Sequence, residues 1–231
     1  MNPYIEVVKQ NFQQSSRKTL KESLYDAFRK TIILREIPAG ERINEKEYAE
    51  WLNISRTPIR YALQELTKEG LVEHIPKIGT VVKGISISDA YEIFDIRTAL
   101  DTLATIKAAQ LMTAEDFNEL KELLEYGNYL DRTDQVDLLL KNFSDFNAFI
   151  YDKSQMPRMK NIAETLREYL LYFRDVSIRA AERRHIALEE HWQLYEAMKE
   201  RDEETIRKVT SRHLDHSLTF IIQEMEKRQI D

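Results

Sequence analysis

Apolar residues recur every three or four positions along most of this chain, which is the helical period rather than the two-residue period of strands. In "KTLKESLYDAFRKTIILRE", Leu20, Leu24, Ala27, Phe28 and Ile32 form one stripe, and Pro38 and Gly40 then mark a turn. Asn44 with Glu47 predicts a capping box opening a short helix from Glu45 to about Leu52, with Tyr48, Ala49 and Leu52 on one face. Ser55 is a natural N-cap for the next helix, Pro58 falls in its first turn, and Gly70 stops it. Its buried stripe is Ile59, Ala62, Leu63 and Leu66. The period then changes: "LVEHI" and "TVVKGI", split by "PKIG", predict a small hairpin. Three helices and a hairpin in this order describe a winged helix-turn-helix.

Beyond Val82 the helical period holds to the end of the chain. Ser86 with Asp89 caps a helix of about 25 residues, and further helices are expected near 114–130, 134–153, 157–183, 185–200 and 202–228. Short breaks between six helices imply an antiparallel bundle, an architecture that places ligand sites between facing helices. The fold class is therefore mainly α: a winged helix-turn-helix over residues 18–83, an all-α antiparallel bundle over 84–231, and a patternless arm over 1–17, flexible or loosely helical.

Composition supports a packed helical protein. The 231 residues are 42% hydrophobic, with five Gly and five Pro. The absence of cysteine excludes disulfides and thiolate metal sites. No signal-peptide core or membrane-length apolar run is present, so a soluble, cytoplasmic protein with no membrane role is expected. Charge changes the picture more. Residues 1–83 carry 14 Lys and Arg against 11 Asp and Glu, whereas residues 84–231 carry 20 against 29. A local basic face within an acidic chain suits a nucleic-acid partner. Arg56 and Arg60 share a helix face four residues apart, where like charges repel, and an anionic partner would relieve that repulsion.

The succession "PAGERI", "ISRTPIR", "AL", "EGLV" and "GT-V" closely resembles the N-terminal domain of GntR-type bacterial transcription regulators. The helical remainder resembles the FadR-type effector (FCD) domain, in the six-helix form of its VanR-like branch. The resemblance implies a homodimeric, ligand-responsive regulator, more often a repressor, that binds a near-palindromic double-stranded operator. The helix after Ser55 would enter the major groove, where arginine at base edges is the commonest specific contact. Carried over position by position, Lys46, Ser55, Arg56, Thr57 and Arg60 fall where the family contacts DNA, and Lys77 with Gly79 falls at the wing tip. Two departures stand out: Tyr61 replaces a glutamate, which makes it a candidate for altered operator preference, and Arg35 replaces a glycine common before the "PAG" turn.

In the bundle, Arg97 lies within the apolar stripe Ala90, Ile93, Leu100 and Ala104, and a buried arginine needs an anionic partner. Asp101, one turn on, is the local candidate, and a carboxylate ligand held bidentately is the functional one. The resemblance favours the ligand, since "DIRTALD" matches the family's effector-binding segment. Asn147, His191 and His213 likewise sit on apolar faces of separate helices, so the expected effector site is Arg97, Asp101, Asn147, His191 and His213. Many relatives hold a divalent metal there through an aspartate and three histidines. His191 and His213 match two of these positions, but Phe143 and Asn147 occupy the others, and Asp145 points to a different face. Two imidazoles and an amide fall short of a good donor set. No tightly bound metal or other cofactor is expected, although His191, His213 and water leave weak divalent binding open.

Two alternatives weigh less. An enzyme in the helical domain lacks a nucleophile elbow, a paired-carboxylate site with an adjacent base, or a phosphate loop. A dimerisation module without DNA would have no need of the Arg56, Arg60 and Gln64 stripe.

Overall fold

The computed structural model describes residues 3–12 and 18–231, and among these it contains ten helices and three short strands. They fall into two compact units, Met1–Ile87 with Met225–Asp231, and Ser88–Glu224. The first unit thus takes in the last seven residues of the chain, where a single boundary near residue 84 had been expected.

In the first unit, helices α1 (Pro3–Asn11), α2 (Leu20–Ile33), α3 (Glu45–Leu52) and α4 (Arg56–Lys68) accompany strands β1 (Arg42–Ile43), β2 (Val72–Ile75) and β3 (Gly79–Val82). The strands form an antiparallel sheet in the order β1-β3-β2, with Arg42 opposite Val81 and Val72 opposite Val82. Leu24, Phe28, Tyr48, Ile59, Leu63 and Leu66 are buried together, and the Phe28 and Tyr48 rings meet at 5.2 Å. Arg29 Nε donates to Glu69 Oε2 at 2.8 Å, tying α2 to the end of α4. Asn44 accepts from the backbone of Lys46 and Glu47, and Asn53 closes α3 in the left-handed conformation. Ser55 occupies the N-cap position of α4, but its side chain makes no capping bond.

Of the arm expected over residues 1–17 to be flexible or loosely helical, the described part is mostly helical. Residues 3–11 form α1, whose Ile5 and Val8 are buried, and Asn11 Nδ2 donates to Glu36 at 2.7 Å. Two apolar side chains on a short helix leave too faint a period to read, yet packing on α2 fixes them. Residues 1–2 and 13–17 of that arm lie outside the described residues. Strand β1 was also not expected: only two residues long, it exists through its pairing with β3. At the end of α2, Arg35 adopts φ of +56°, a left-handed conformation that explains the glycine common there.

In the second unit, α5 (Ile87–Leu111), α6 (Ala114–Arg132), α7 (Val136–Lys153), α8 (Pro157–Ser177), α9 (Ala181–Glu200) and α10 (Glu203–Lys227) follow one another with two or three residues between them. Such links reverse the chain into a bundle. With glycine scarce, Asp134, Gln155 and Arg201 take the left-handed conformation at these turns. Where α6 packs on α7 and α9, Gly127 leaves space that a Cβ would take from Asn142 Oδ1, 2.7 Å away. The expected helix over 157–183 is corrected: the chain breaks at Ile178–Ala180, where Ala180 is extended, and no glycine or proline announces it. Arg183 therefore lies in the first turn of α9. Among the described residues no helix is long and apolar enough to cross a membrane.

Candidate DNA interface and effector pocket

The N-terminal turns of α4 present Arg56, Thr57 and Arg60 to solvent, with exposed Ser55 before them and exposed Lys46 on α3. Burying Ile59, Ala62 and Leu63 on one face of α4 is what turns the arginines outward. Lys46, Ser55 and Arg56 line one shallow groove, and Arg60 with Gln64 lines another. Arg60 already has a partner: its Nε and Nη2 donate to Glu45 Oε2 at 3.3 and 3.0 Å. This pairing raises the Arg60 pKa and offsets the repulsion expected from Arg56. Lys77 and Gly79 shape the turn between β2 and β3, at φ of +70° and +111°, and the Lys77 side chain is exposed. Tyr61 is half-buried on α4, with Lys21 Nζ of α2 4.3 Å from its ring centre.

The second site is a cavity of about 40 Å³ in the helical unit, lined in part by Arg97, Asn147, His191 and His213. Its organising group is Asp101, just outside the lining. Asp101 Oδ2 accepts from Arg97 Nη2 at 3.1 Å, while Oδ1 accepts from Tyr151 Oη at 2.5 Å and Arg167 Nη2 at 3.1 Å. Burial alone would raise the Asp101 pKa, but Arg97, Arg167 and Tyr151 hold it below the ordinary carboxylate value. The helix-local pairing of Arg97 with Asp101 thus forms part of a network across α5, α7 and α8.

His191 is stacked on Phe146 at 4.2 Å, meets the edge of Phe143 at 5.1 Å, and lies 4.9 Å from the His213 ring. Burial pushes His191 well below its ordinary pKa, with His213 and Arg183 adding to the effect. Burial lowers His213 too, against the opposing pull of Glu190. Buried Glu190 lies 2.8 Å from His213 Nδ1 and 2.6 Å from His216 Nδ1. Burial would raise the Glu190 pKa, but its histidine partners and Arg183 bring it below the ordinary value. His216 therefore belongs to this cluster too, and His185 is exposed beside Asp131.

These donors do not fit a divalent metal. Phe143 and Phe146 surround the His191 imidazole with rings that carry no donor atom. Asn147 anchors its amide nitrogen on the Phe143 carbonyl at 2.9 Å and so offers only a neutral amide oxygen, a weak donor. Asp145 pairs with Lys141 at 2.6 Å. Among the described residues, no group of three or more His, Asp or Glu side chains is arranged to hold a metal.

Arg167, Arg174 and Arg183 also line the cavity, and the sequence reading missed them. Arg167 and Arg174 fall on the same helix face seven residues apart, a signal that a helical projection of α8 could have caught. Arg183 gave none, because the α8–α9 break is hidden in the sequence.

Comparison with known proteins places the chain in a family. Residues 20–82 match the bacterial regulatory proteins of the gntR family, and residues 92–216, more than half of the chain, match the FCD domain. An uncharacterized HTH-type transcriptional regulator of Bacillus subtilis, YdhC, is 25% identical over 88% of this chain and 91% of its own. The HTH-type transcriptional repressor RspR of Escherichia coli is 22% identical over 87% of this chain and 89% of its own. The solved structure of E. coli McbR/YncC superposes with a TM-score of 0.64 at 25% identity, covering 89% of this chain and 98% of that one. The chain belongs to the GntR-type regulators that join a DNA-binding helix-turn-helix domain to an FCD domain, a family of transcription regulators rather than enzymes.

Proposed function

We propose that this regulator is a cytoplasmic homodimeric repressor whose affinity for a near-palindromic operator changes when a small carboxylate occupies the helical pocket. Residues 18–83 supply the DNA-binding domain, and 84–231 supply effector binding and dimerisation. In this reading Arg56 and Arg60 meet base edges, Ser55, Thr57 and Lys46 approach the phosphates, Lys77 and Gly79 sit at the wing, and Tyr61 tunes operator preference. The observation that carries the reading is the exposure of Ser55, Arg56, Thr57 and Arg60 at the start of one helix. Glu45 acts as a placeholder for DNA. It holds Arg60 extended in the free protein and yields when base edges arrive.

Arg97 with Asp101, Asn147, His191 and His213 receive the effector. The ligand changes operator affinity only by as much as it prefers one state of the dimer over the other. Electrophoretic shifts with genomic fragments test the proposal. A subset of fragments should be retained by the wild type, with binding falling steeply as salt rises. Arg60→Ala should lose that selectivity with its circular dichroism unchanged. Equal binding of all fragments by the wild type would refute operator recognition.

A further inference from the structure

Arg183 is the largest fully buried side chain among the described residues, with 2% of it exposed. Its nearest carboxylate oxygen, Glu190 Oε2, is 3.9 Å away, and that carboxylate is already bonded to His213 and His216. Nε and Nη1 of Arg183 have no hydrogen-bond partner. The remaining neighbour with attraction for a cation is the Phe220 ring, at 5.8 Å. Placement makes matters worse: Arg183 stands in the first turn of α9, where the helix dipole disfavours a positive charge. A buried guanidinium with such poor compensation is a costly feature unless something else pairs with it.

The cavity as a whole has the same deficit. Arg97, Arg167, Arg174 and Arg183 line it. Asp101 serves both Arg97 and Arg167, Asp175 pairs with Arg174 at 2.7 Å, and Glu190 stands near Arg183. Glu190 is also 3.9 Å from Arg212, so the arginines in and around the cavity outnumber the carboxylates that serve them. Nε of Arg97 and Nε of Arg167 are also without partners. The imidazoles of buried His191 and half-buried His213 add little charge at neutral pH, because desolvation shifts both below their ordinary value. The volume is small, with room for a few water molecules.

Building on the carboxylate-effector reading, we infer that Arg183 grips the effector directly, in place of a metal ion, and that the pocket takes a single small monocarboxylate. A carboxylate offsets the excess of positive charge and offers four lone-pair sites to the orphaned N–H groups. The small volume favours one short carboxylate over a longer dicarboxylate. Arg183 is thus a binding residue, and Arg97 and Arg167 share the ligand from the Asp101 side.

Calorimetric titration of the full chain with sodium acetate and sodium pyruvate, after exhaustive treatment with EDTA, tests this directly. Malonate and citrate serve as larger, more highly charged probes, and sodium chloride at matched ionic strength serves as control. The wild type should bind a monocarboxylate without metal, prefer it to malonate and citrate at least tenfold, and change affinity less than twofold when zinc or manganese is added. Arg183→Gln should weaken binding at least tenfold while raising the unfolding midpoint of the ligand-free protein. Arg183→Lys, which keeps the charge but not the fork, should fold and bind more weakly than the wild type. Undiminished binding by Arg183→Gln, or binding that EDTA abolishes and metal restores, would overturn the inference while leaving a carboxylate effector intact. Failure of both variants to fold would show Arg183 to be structural and would overturn it as well. If no carboxylate binds the wild type, with or without metal, both the inference and the effector reading fall.

Discussion

Arg60 and Arg183 are the same chemical group in opposite circumstances. Arg60 is exposed on α4 and paired with Glu45, whereas Arg183 is buried on α9 and lacks partners at two of its nitrogens. An exposed pair is held by water almost as well as by its partner, so exchanging Glu45 for a phosphate or base edge costs little. A buried guanidinium has no water to fall back on. On the proposed reading, the helix-turn-helix unit trades partners readily, and the bundle responds when a carboxylate supplies the charge it lacks.

Breaking the two ion-pair systems in parallel gives the largest contrast. Asp101→Asn leaves the Arg97 and Arg167 guanidiniums without their shared carboxylate, and thermal or urea unfolding should report a loss of about 3–5 kcal/mol. Glu45→Ala, the same surgery on the surface, should leave the unfolding midpoint unchanged. Equal effects from the two substitutions would erase the distinction between the regions.

The bundle's dependence on close packing sharpens the comparison. Gly127→Ala drives a methyl group into Asn142 Oδ1 and within 3.2 Å of Leu188. Overpacking of this kind should cost about 1–3 kcal/mol by urea unfolding. A neutral result would mean that α6 and α7 have slack to give.

Acid should also act on the bundle. His191 and His213 have pKa values below 6.5 in the fold and return to that value on unfolding, so the unfolded chain binds more protons as the pH falls. Stability is then fully present above about pH 6.5 and declines below it, by up to about 1.4 kcal/mol per pH unit for each imidazole. Unfolding midpoints between about pH 7.5 and 5.5 measure this, and His191→Gln should flatten the decline. A midpoint indifferent to this range would contradict the desolvation of these two rings.

The smallest effect belongs to the first unit. Arg35→Gly relieves the left-handed strain at φ +56° but frees the unfolded chain. Its pairing with Asp231, 3.5 Å away and fully exposed, adds little. A gain between zero and about 1 kcal/mol is expected, and a clear loss would show that the side chain holds the α2 end.

Legibility in the sequence followed the range of the forces involved. Helix α3 and the start of α4 were readable because Asn44, Asn53 and Pro58 act within a turn of themselves. The recognition face could be read for the same reason, since burying Ile59 and Leu63 settles where Arg60 points. Strand β1, the docking of α1 and the grouping of Met225–Asp231 with the first unit depend on partners distant in the chain. The pocket was half legible. Arg97 and the histidines stood out as polar residues on apolar stripes, but nothing in "AERRH" signals the helix break that puts Arg183 in the first turn of α9. Only its tertiary surroundings show it buried.

The central claim is that the arginines of α4 read sequence. Its most direct test is fluorescence anisotropy with a duplex that the wild type selects from a random pool, set against a scrambled duplex, for the wild type and Arg60→Ala. The wild type should prefer the selected duplex by roughly 10³-fold or more, and Arg60→Ala should fall toward its affinity for the scrambled one. Equal affinity of the wild type for both duplexes, or unchanged preference in Arg60→Ala, would contradict the account.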